Sequence, residues 1–236
     1  MSRLCLGAAV FLASGPALAA DLWNGSLAAS SRHVFRGLMQ RGDAPSVQFD
    51  LHRRFDEEDA FAGIWFASGP VRTGAYGRQE LNAYAGMGWR VLERWSLALR
   101  LMHYAYPDSR LGRRYDYDEL AGSATFDDWL VLTLSTSPNT ARFTRQGLSD
   151  RRRSHAAEAA VRQSLGGPLS LVAAAGYYDT RAFFGTAYRA AHLGLGARQG
   201  PMELTLVRLY TDRTARSLFG PTAAHGLWAL TAAWSF

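Results

Sequence analysis

Apolar and polar positions alternate with a period of two through most of the chain. In "ELNAYAGMGW", Leu81, Ala83, Ala85, Met87 and Trp89 fall on one face, and Glu80, Asn82, Tyr84 and the glycines on the other. "RWSLALRLMHYAY" sets Trp95, Leu97, Leu99 and Leu101 against Ser96, Ala98, Arg100 and Met102. "SVQFDLHRRF" separates Val47, Phe49, Leu51 and Phe55 from Gln48, Asp50, His52 and Arg54, and "SHAAEAAVRQSL" puts Glu158 and Arg162 on one face. Only a β-strand sends successive side chains to opposite faces. Apolar residues at i, i+3, i+4 and i+7, the mark of an amphipathic helix, are scarce after residue 20. The pattern predicts twelve strands, at 26–37, 46–55, 59–68, 79–91, 95–106, 115–126, 129–137, 154–165, 170–178, 187–198, 202–210 and 226–236. Most are longer than the usual ~5–6 residues of a globular sheet and match the ~9–11 of a tilted membrane strand.

The connections sort by parity. "DEE", "ER", "DD", "GGP" and "QGP" are tight. Between them come "LMQRGDAP", "GPVRTGAYGR", "PDSRLGRR", "SPNTARFTRQGLSDRRR", "DTRAFFGT" and "TDRTARSLFGPTAAH". Short turns on one rim and long loops on the other are the layout of outer-membrane barrels, with the short turns periplasmic. A spanning sheet must close, because hydrocarbon offers no partner to an unpaired backbone N–H or C=O. The expected fold is therefore all-β, a transmembrane antiparallel β-barrel of about 12 strands with short periplasmic turns and long extracellular loops. Aromatics gather at strand ends, as interface girdles require. Phe55, Trp89, Trp95, Phe126, Trp129, Trp234 and Phe236 lie by the short turns, and Phe35, Tyr104, Tyr106, Tyr115, Tyr177, Tyr178, Tyr188, Tyr210 and Trp228 by the long loops. The closing "GLWALTAAWSF" is expected to pair with the first strand and so remove both edges. A soluble sandwich or lipocalin-like fold would instead bury the aromatic stripe.

Composition sharpens this picture. Of 236 residues, 48% are apolar and only 19% charged, which excludes a disordered charged tail. The N-terminus has Arg3, an apolar run at Leu4–Ala13 and "SGPALAA", the parts of a secretory signal. Residues 1–20 are expected to be cleaved and 21–236 to form the barrel. The one cysteine, Cys5, would leave with the signal, so the mature chain would carry no disulfide. No later stretch approaches the ~20 apolar residues of a membrane helix.

Part of the chain resembles a known family. "HVFRGLMQRGDAPSVQFDL" (His33 to Leu51) is similar to the aromatic-x-Phe-Arg-Gly-x-x-Gln…Pro-x-x-Gln opening of the TorF-like porins of proteobacteria. "AGIWFAS", "ELNAYAGMGW" and "YAYPDSRLGRRYDYDEL" continue the likeness, which is best from about 30 to 126 and weakens after 137. It departs at His33, Met39 and Asn82, where Tyr, Ser and Asp are common. The resemblance implies an outer-membrane barrel proposed as a porin, and supplies neither a solute nor a catalytic set.

A twelve-stranded barrel is wider than an eight-stranded one, whose side chains fill it. Arg32, Arg36, Gln48, Asp50, His52, Glu80, Asn82, Arg100, Glu119, Glu158 and Arg162 are the candidate lumen residues. They would either select solutes by size and charge, with a weak anion preference, or form a stabilising ion-pair ladder. In the longest loop, Arg142, Arg145, Arg151, Arg152 and Arg153 are candidates for contact with lipopolysaccharide phosphates, which guanidinium binds bidentately. A minority alternative folds that loop inward. Expected partners are outer-membrane lipid and lipopolysaccharide, the assembly machinery through the strand ending at Phe236, and small solutes. An exported barrel argues against nucleic acid despite the basic run.

Two other function classes stay open, a structural or adhesin-like barrel and a lipid- or lipopolysaccharide-modifying hydrolase. The six histidines (His33, His52, His103, His155, His192, His225) accompany neither G-x-S-x-G nor H-x-x-x-H nor a Cys/His cluster. No catalytic, metal or cofactor site is therefore expected.

Overall fold

The computed structural model describes residues 23–39, 44–55, 59–68, 79–107, 115–144, 147–220 and 226–236. The expected signal segment and part of several outer loops lie outside these residues. Twelve strands close into one antiparallel barrel. They are β1 (Trp23–Ser30), β4 (Ser46–Phe55), β5 (Ala60–Ser68), β6 (Gln79–Arg90), β7 (Trp95–Ala105), β8 (Tyr117–Phe126), β9 (Leu130–Thr144), β10 (Gly147–Gly166), β11 (Leu169–Asp179), β12 (Tyr188–Gln199), β13 (Met202–Thr211) and β14 (Trp228–Ser235). A separate two-stranded ribbon, β2 (Val34–Phe35) and β3 (Leu38–Met39), lies between β1 and β4 in the chain. Two short helices, α1 (Arg181–Phe184) and α2 (Arg213–Phe219), belong to the outer connections. Among the described residues no helix is long and apolar enough to cross a membrane.

Burial follows the alternation. On β7, Ala98, Arg100, Met102 and Tyr104 are buried while Leu97, Leu99, Leu101 and His103 are exposed. The outward rows carry Leu27, Ile64, Leu81, Leu132, Leu134, Leu193, Leu195, Leu204, Leu206 and Leu230, all exposed. Water makes such a belt costly at about 25 cal/mol per Å². Hydrocarbon removes the cost, and it also requires the closed hydrogen-bond ladder that the wall supplies.

The seam joins β1 to β14, with Leu27 opposite Trp234 and Ser30 opposite Thr231. Phe236 extends it, exchanging hydrogen bonds with Gly25 at 2.9 and 3.0 Å. A Cβ at Gly25 would lie 2.6 Å from the Phe236 ring, so glycine is what lets the terminal ring close over the seam. On the short-turn rim, Asp127 and Asp128 both adopt positive φ, 45° and 60°. That is the twist a two-residue hairpin turn needs. Arg94 of the neighbouring turn hydrogen-bonds Asp127, which raises its guanidinium pKa above the ordinary value and ties the two turns together.

Three expectations are corrected. The first strand ends at Ser30 and starts earlier, at Trp23, instead of running over 26–37. The seventh and eighth expected strands, β9 and β10, do not stop at 137 and start at 154. They continue as a hairpin to Thr144 and from Gly147, with register shifts between Leu148 and Arg151 and between Arg152 and Ser154. Several loop-side aromatics do not form a lipid girdle. Tyr104, Tyr106, Tyr178 and Tyr188 occupy buried, inward positions beside Tyr117, whereas Tyr177, Tyr210 and Trp228 face outward.

Candidate functional site: an obstructed lumen

The ribbon β2–β3 turns into the barrel at its loop end. Leu38 is buried in a cluster with Ala156, Tyr178, Tyr188, Ala190 and Ala215, contributed by β10, β11, β12 and α2. On the other side Phe35 meets Tyr104 of β7 edge-on, with ring centroids 6.0 Å apart. The ribbon thus reaches from the β7–β8 wall to the β10–β12 wall. At its turn, Arg36 (φ 52°) and Gly37 (φ 72°) both take the left-handed conformation. Gly37 presses on Ala190 so closely that an added Cβ would lie 2.1 Å from the Ala190 Cβ. No other residue fits there.

Arg36 forms a salt bridge with Glu119 of β8 and reaches Ser135 of β9 at 3.4 Å. Tyr104 donates to the second Glu119 oxygen at 3.3 Å, and stacks on Tyr117 with centroids 4.4 Å apart. Tyr178 donates to Glu158 at 2.7 Å. One leg of the ribbon is anchored by His33, which is buried and lies against Trp65 at 5.8 Å. The helices lie against the same obstruction. Ala215 of α2 is fully buried in the Leu38 cluster, and Phe219 packs on Tyr188 and Phe184.

Below the ribbon many inward side chains are small or polar, among larger ones such as Phe61, Tyr84, Val131, Val172 and Val207. Ala121, Ser123, Thr133, Ala160, Ala174, Gly176, Gly194, Ala229, Thr231 and Ala233 share the inward rows. Two polar groupings stand among them. Asp50 accepts from His52 Nδ1 and from the Tyr84 hydroxyl, each at 2.7 Å. Near the short-turn rim, Glu203 of β13 takes salt bridges from both Arg162 of β10 and Arg198 of β12. Thr205 donates to the same carboxylate at 3.1 Å, and Arg162 also reaches Ser170 at 3.2 Å.

The structure therefore places Asp50, His52, Glu80, Asn82, Arg100, Glu119, Glu158 and Arg162 on inward rows. Asn82 donates to Glu80 at 2.9 Å. Arg36 enters the same space from the ribbon rather than from a strand. Arg32 lies at the loop-side rim and donates to the Trp228 carbonyl of β14. Arg198 and Glu203 escaped the sequence reading, although they face each other directly across the "QGP" turn and alternation alone puts both inward. Among the described residues, six inward arginines (Arg54, Arg90 at the short-turn end, Arg100, Arg162, Arg198 and the incoming Arg36) stand against five inward carboxylates (Asp50, Glu80, Glu119, Glu158, Glu203).

The basic stretch lies on the β9–β10 hairpin. Arg151 donates to the carbonyls of Asp116 and Asn139, and Arg152 pairs with Asp150. Arg153 is exposed. The Arg142 and Arg145 side chains lie outside the described residues. On the outward face, His103 Nδ1 pairs with Asp118 at 2.7 Å, and Asn139 donates to the other carboxylate oxygen at 2.7 Å. The backbone N–H of Asp118 in turn donates to the Asn139 side-chain oxygen at 2.8 Å, which fixes the pair on the outer wall. The outer wall also carries a groove of about 1210 Å³ where Gly122, Ala124, Ala157, Ala159, Ala175 and Ala191 replace the leucines of the belt.

A family model covering residues 17–231 matches the chain. The chain belongs to the Gcw_chp family, bacterial proteins of unknown function. The match takes in the ribbon, the whole lumen and all but the last residues of the seam strand, so the family is shown for the entire barrel. No curated protein matches. Among solved structures, "KdgM porin" has a TM-score of 0.53 at 10% identity, covering 90% of this chain and 99% of its own. "KdgM porin in complex with disordered oligogalacturonate" has 0.52 at 8% identity, covering 91% and 99%. At such identities the likeness is one of fold.

Proposed function

We propose that the chain is an outer-membrane, porin-like channel for passive diffusion of small hydrophilic solutes or ions, exported by the signal at 1–20. The observation that carries this reading is the contrast between the two faces of one wall. The outward rows are rich in leucine and tryptophan, whereas the inward rows below the ribbon carry the charged groups and many Ala, Ser, Thr and Gly among a few larger side chains. Twelve strands also enclose a wider space than eight, whose side chains fill the interior, and that width leaves room for water. The KdgM likeness and the resemblance to TorF-like porins support the same class. Localisation in the bacterial outer membrane follows from the reading, with Phe236 presented to the assembly machinery and Arg142, Arg145, Arg151, Arg152 and Arg153 to lipopolysaccharide phosphate.

A weak anion preference belongs to this proposal. Inward charges differ by one, and the excess sits where two guanidiniums share Glu203, which leaves one unit of positive charge near the short-turn rim. The field of that site favours anions there, while the balanced remainder keeps the preference small. Ion conductance with reversal potentials in planar bilayers tests the reading. A correctly folded barrel that stays silent whether the ribbon is present or deleted contradicts it. The adhesin-like alternative draws on the β9–β10 hairpin. At 20 residues, β10 spans roughly 65 Å at about 3.3 Å per residue, far beyond a bilayer.

A further inference from the structure

The ribbon differs from every other element in how it is held. Among the described residues, its two residue pairs, Val34 with Met39 and Phe35 with Leu38, form a sheet with each other and with no barrel strand. The barrel ladder runs complete without it, because β1 pairs directly with β4 from Trp23–Arg53 to Ser30–Ser46. Side chains alone hold it across the lumen. Leu38 and Phe35 fill apolar sites on opposite walls, Arg36 bridges to Glu119, and the Tyr188 hydroxyl donates to the Arg36 carbonyl at 3.4 Å. Withdrawing the ribbon would therefore break no hydrogen bond of the wall. A strand in that place could not leave without opening the barrel.

Resting on the channel reading, we propose that the ribbon Val34–Met39 is the gate of this lumen and the element that selects solutes. Glu119 is its latch and the Ala190 region its seat. Closed, the ribbon spans the lumen, with Gly37 flat against Ala190 and Arg36 neutralising a carboxylate that would otherwise be buried alone. Open, Glu119 and Arg36 both regain water, which offsets the loss of their salt bridge. A balance of this kind allows two populated states where a purely apolar plug would favour one. The buried His33, tilted against the Trp65 ring, marks the leg about which the ribbon turns. Since the ribbon meets α2 through Ala215 and Leu38, the two move as one cap.

The test uses the full mature chain in planar bilayers. A Leu38→Cys, Ala190→Cys pair joins ribbon to seat, and the chain's one natural cysteine, Cys5, lies in the signal. Oxidation is expected to cut the mean conductance severalfold, and reduction to restore it. Separately, Glu119→Gln is expected to raise the open-state occupancy about tenfold, the factor that follows from weakening the latch by ~1.4 kcal/mol. Mobility of unboiled samples on gels establishes that each variant keeps a folded barrel. Wild-type conductance that responds neither to the cross-link nor to Glu119→Gln overturns the gate and leaves the channel standing. Silence in the wild type, broken on deleting 34–39, supports the gate. Silence in all variants overturns both.

Discussion

Gly37 joins a backbone requirement to a packing requirement, and either alone would exclude most side chains. Its φ of 72° costs other residues about 1–2 kcal/mol, and the Ala190 contact leaves no space for a methyl group. Gly37→Ala should therefore displace the ribbon without opening the wall. Arg36 should then become a trypsin cleavage site in folded protein, read by mass spectrometry of the fragments. Equal protection in wild type and variant would contradict the packing described. Gly25 gives a second test at the same scale. A valine there meets both the Phe236 ring and the Asp50 carbonyl, 2.7 Å from the new Cβ. The expected result is a severalfold drop in folded yield, seen as loss of the compact unboiled band. An unchanged yield would mean that the seam does not depend on that terminal ring.

At the level of elements, outward and inward rows predict opposite responses. Leu99 lies midway along β7 on the lipid face. Leu99→Arg should cost about 2–4 kcal/mol in refolding titrations from urea into bilayers, because a charge at mid-depth meets hydrocarbon. A cost near zero would place that row against water. By contrast, removing 139–152 from the β9–β10 hairpin should leave the barrel's gel mobility intact, since that stretch extends past the ladders of β8 and β11. The same contrast explains what could be read from sequence. Nine strands were legible nearly end to end because lipid on one face and lumen on the other force strict alternation. The far ends of β9 and β10 have no lipid on either face, so "TARFTRQGLSDRRR" carries no apolar stripe and read as a loop. "SLAASSRHVFRG" misled in the other direction. His33 and Phe35 continue the alternation past Ser30, but they are buried by the ribbon's passage through the lumen and not by membrane. The tyrosines by the long loops were expected at the lipid interface, and parity sends four of them, Tyr104, Tyr106, Tyr178 and Tyr188, inward on the ribbon's side. Nothing local in the sequence marks a loop that folds inside.

For the whole molecule, closure, a lipid-facing belt and an obstructed lumen with nearly balanced charges fit the proposed channel as a narrow one. Selectivity should accordingly respond to single inward charges. Glu203→Gln leaves Arg162 and Arg198 with no shared carboxylate, and should raise the anion-to-cation permeability ratio severalfold by reversal potential under a salt gradient. No change would mean that ions do not pass that site. The central claim, that solutes cross this barrel past the inward ribbon, is tested most directly by single-channel recording of purified wild-type protein beside a variant lacking 34–39. The account predicts small, fluctuating conductance in the wild type and larger, steadier conductance in the deletion. Two folded barrels that both stay silent would contradict it.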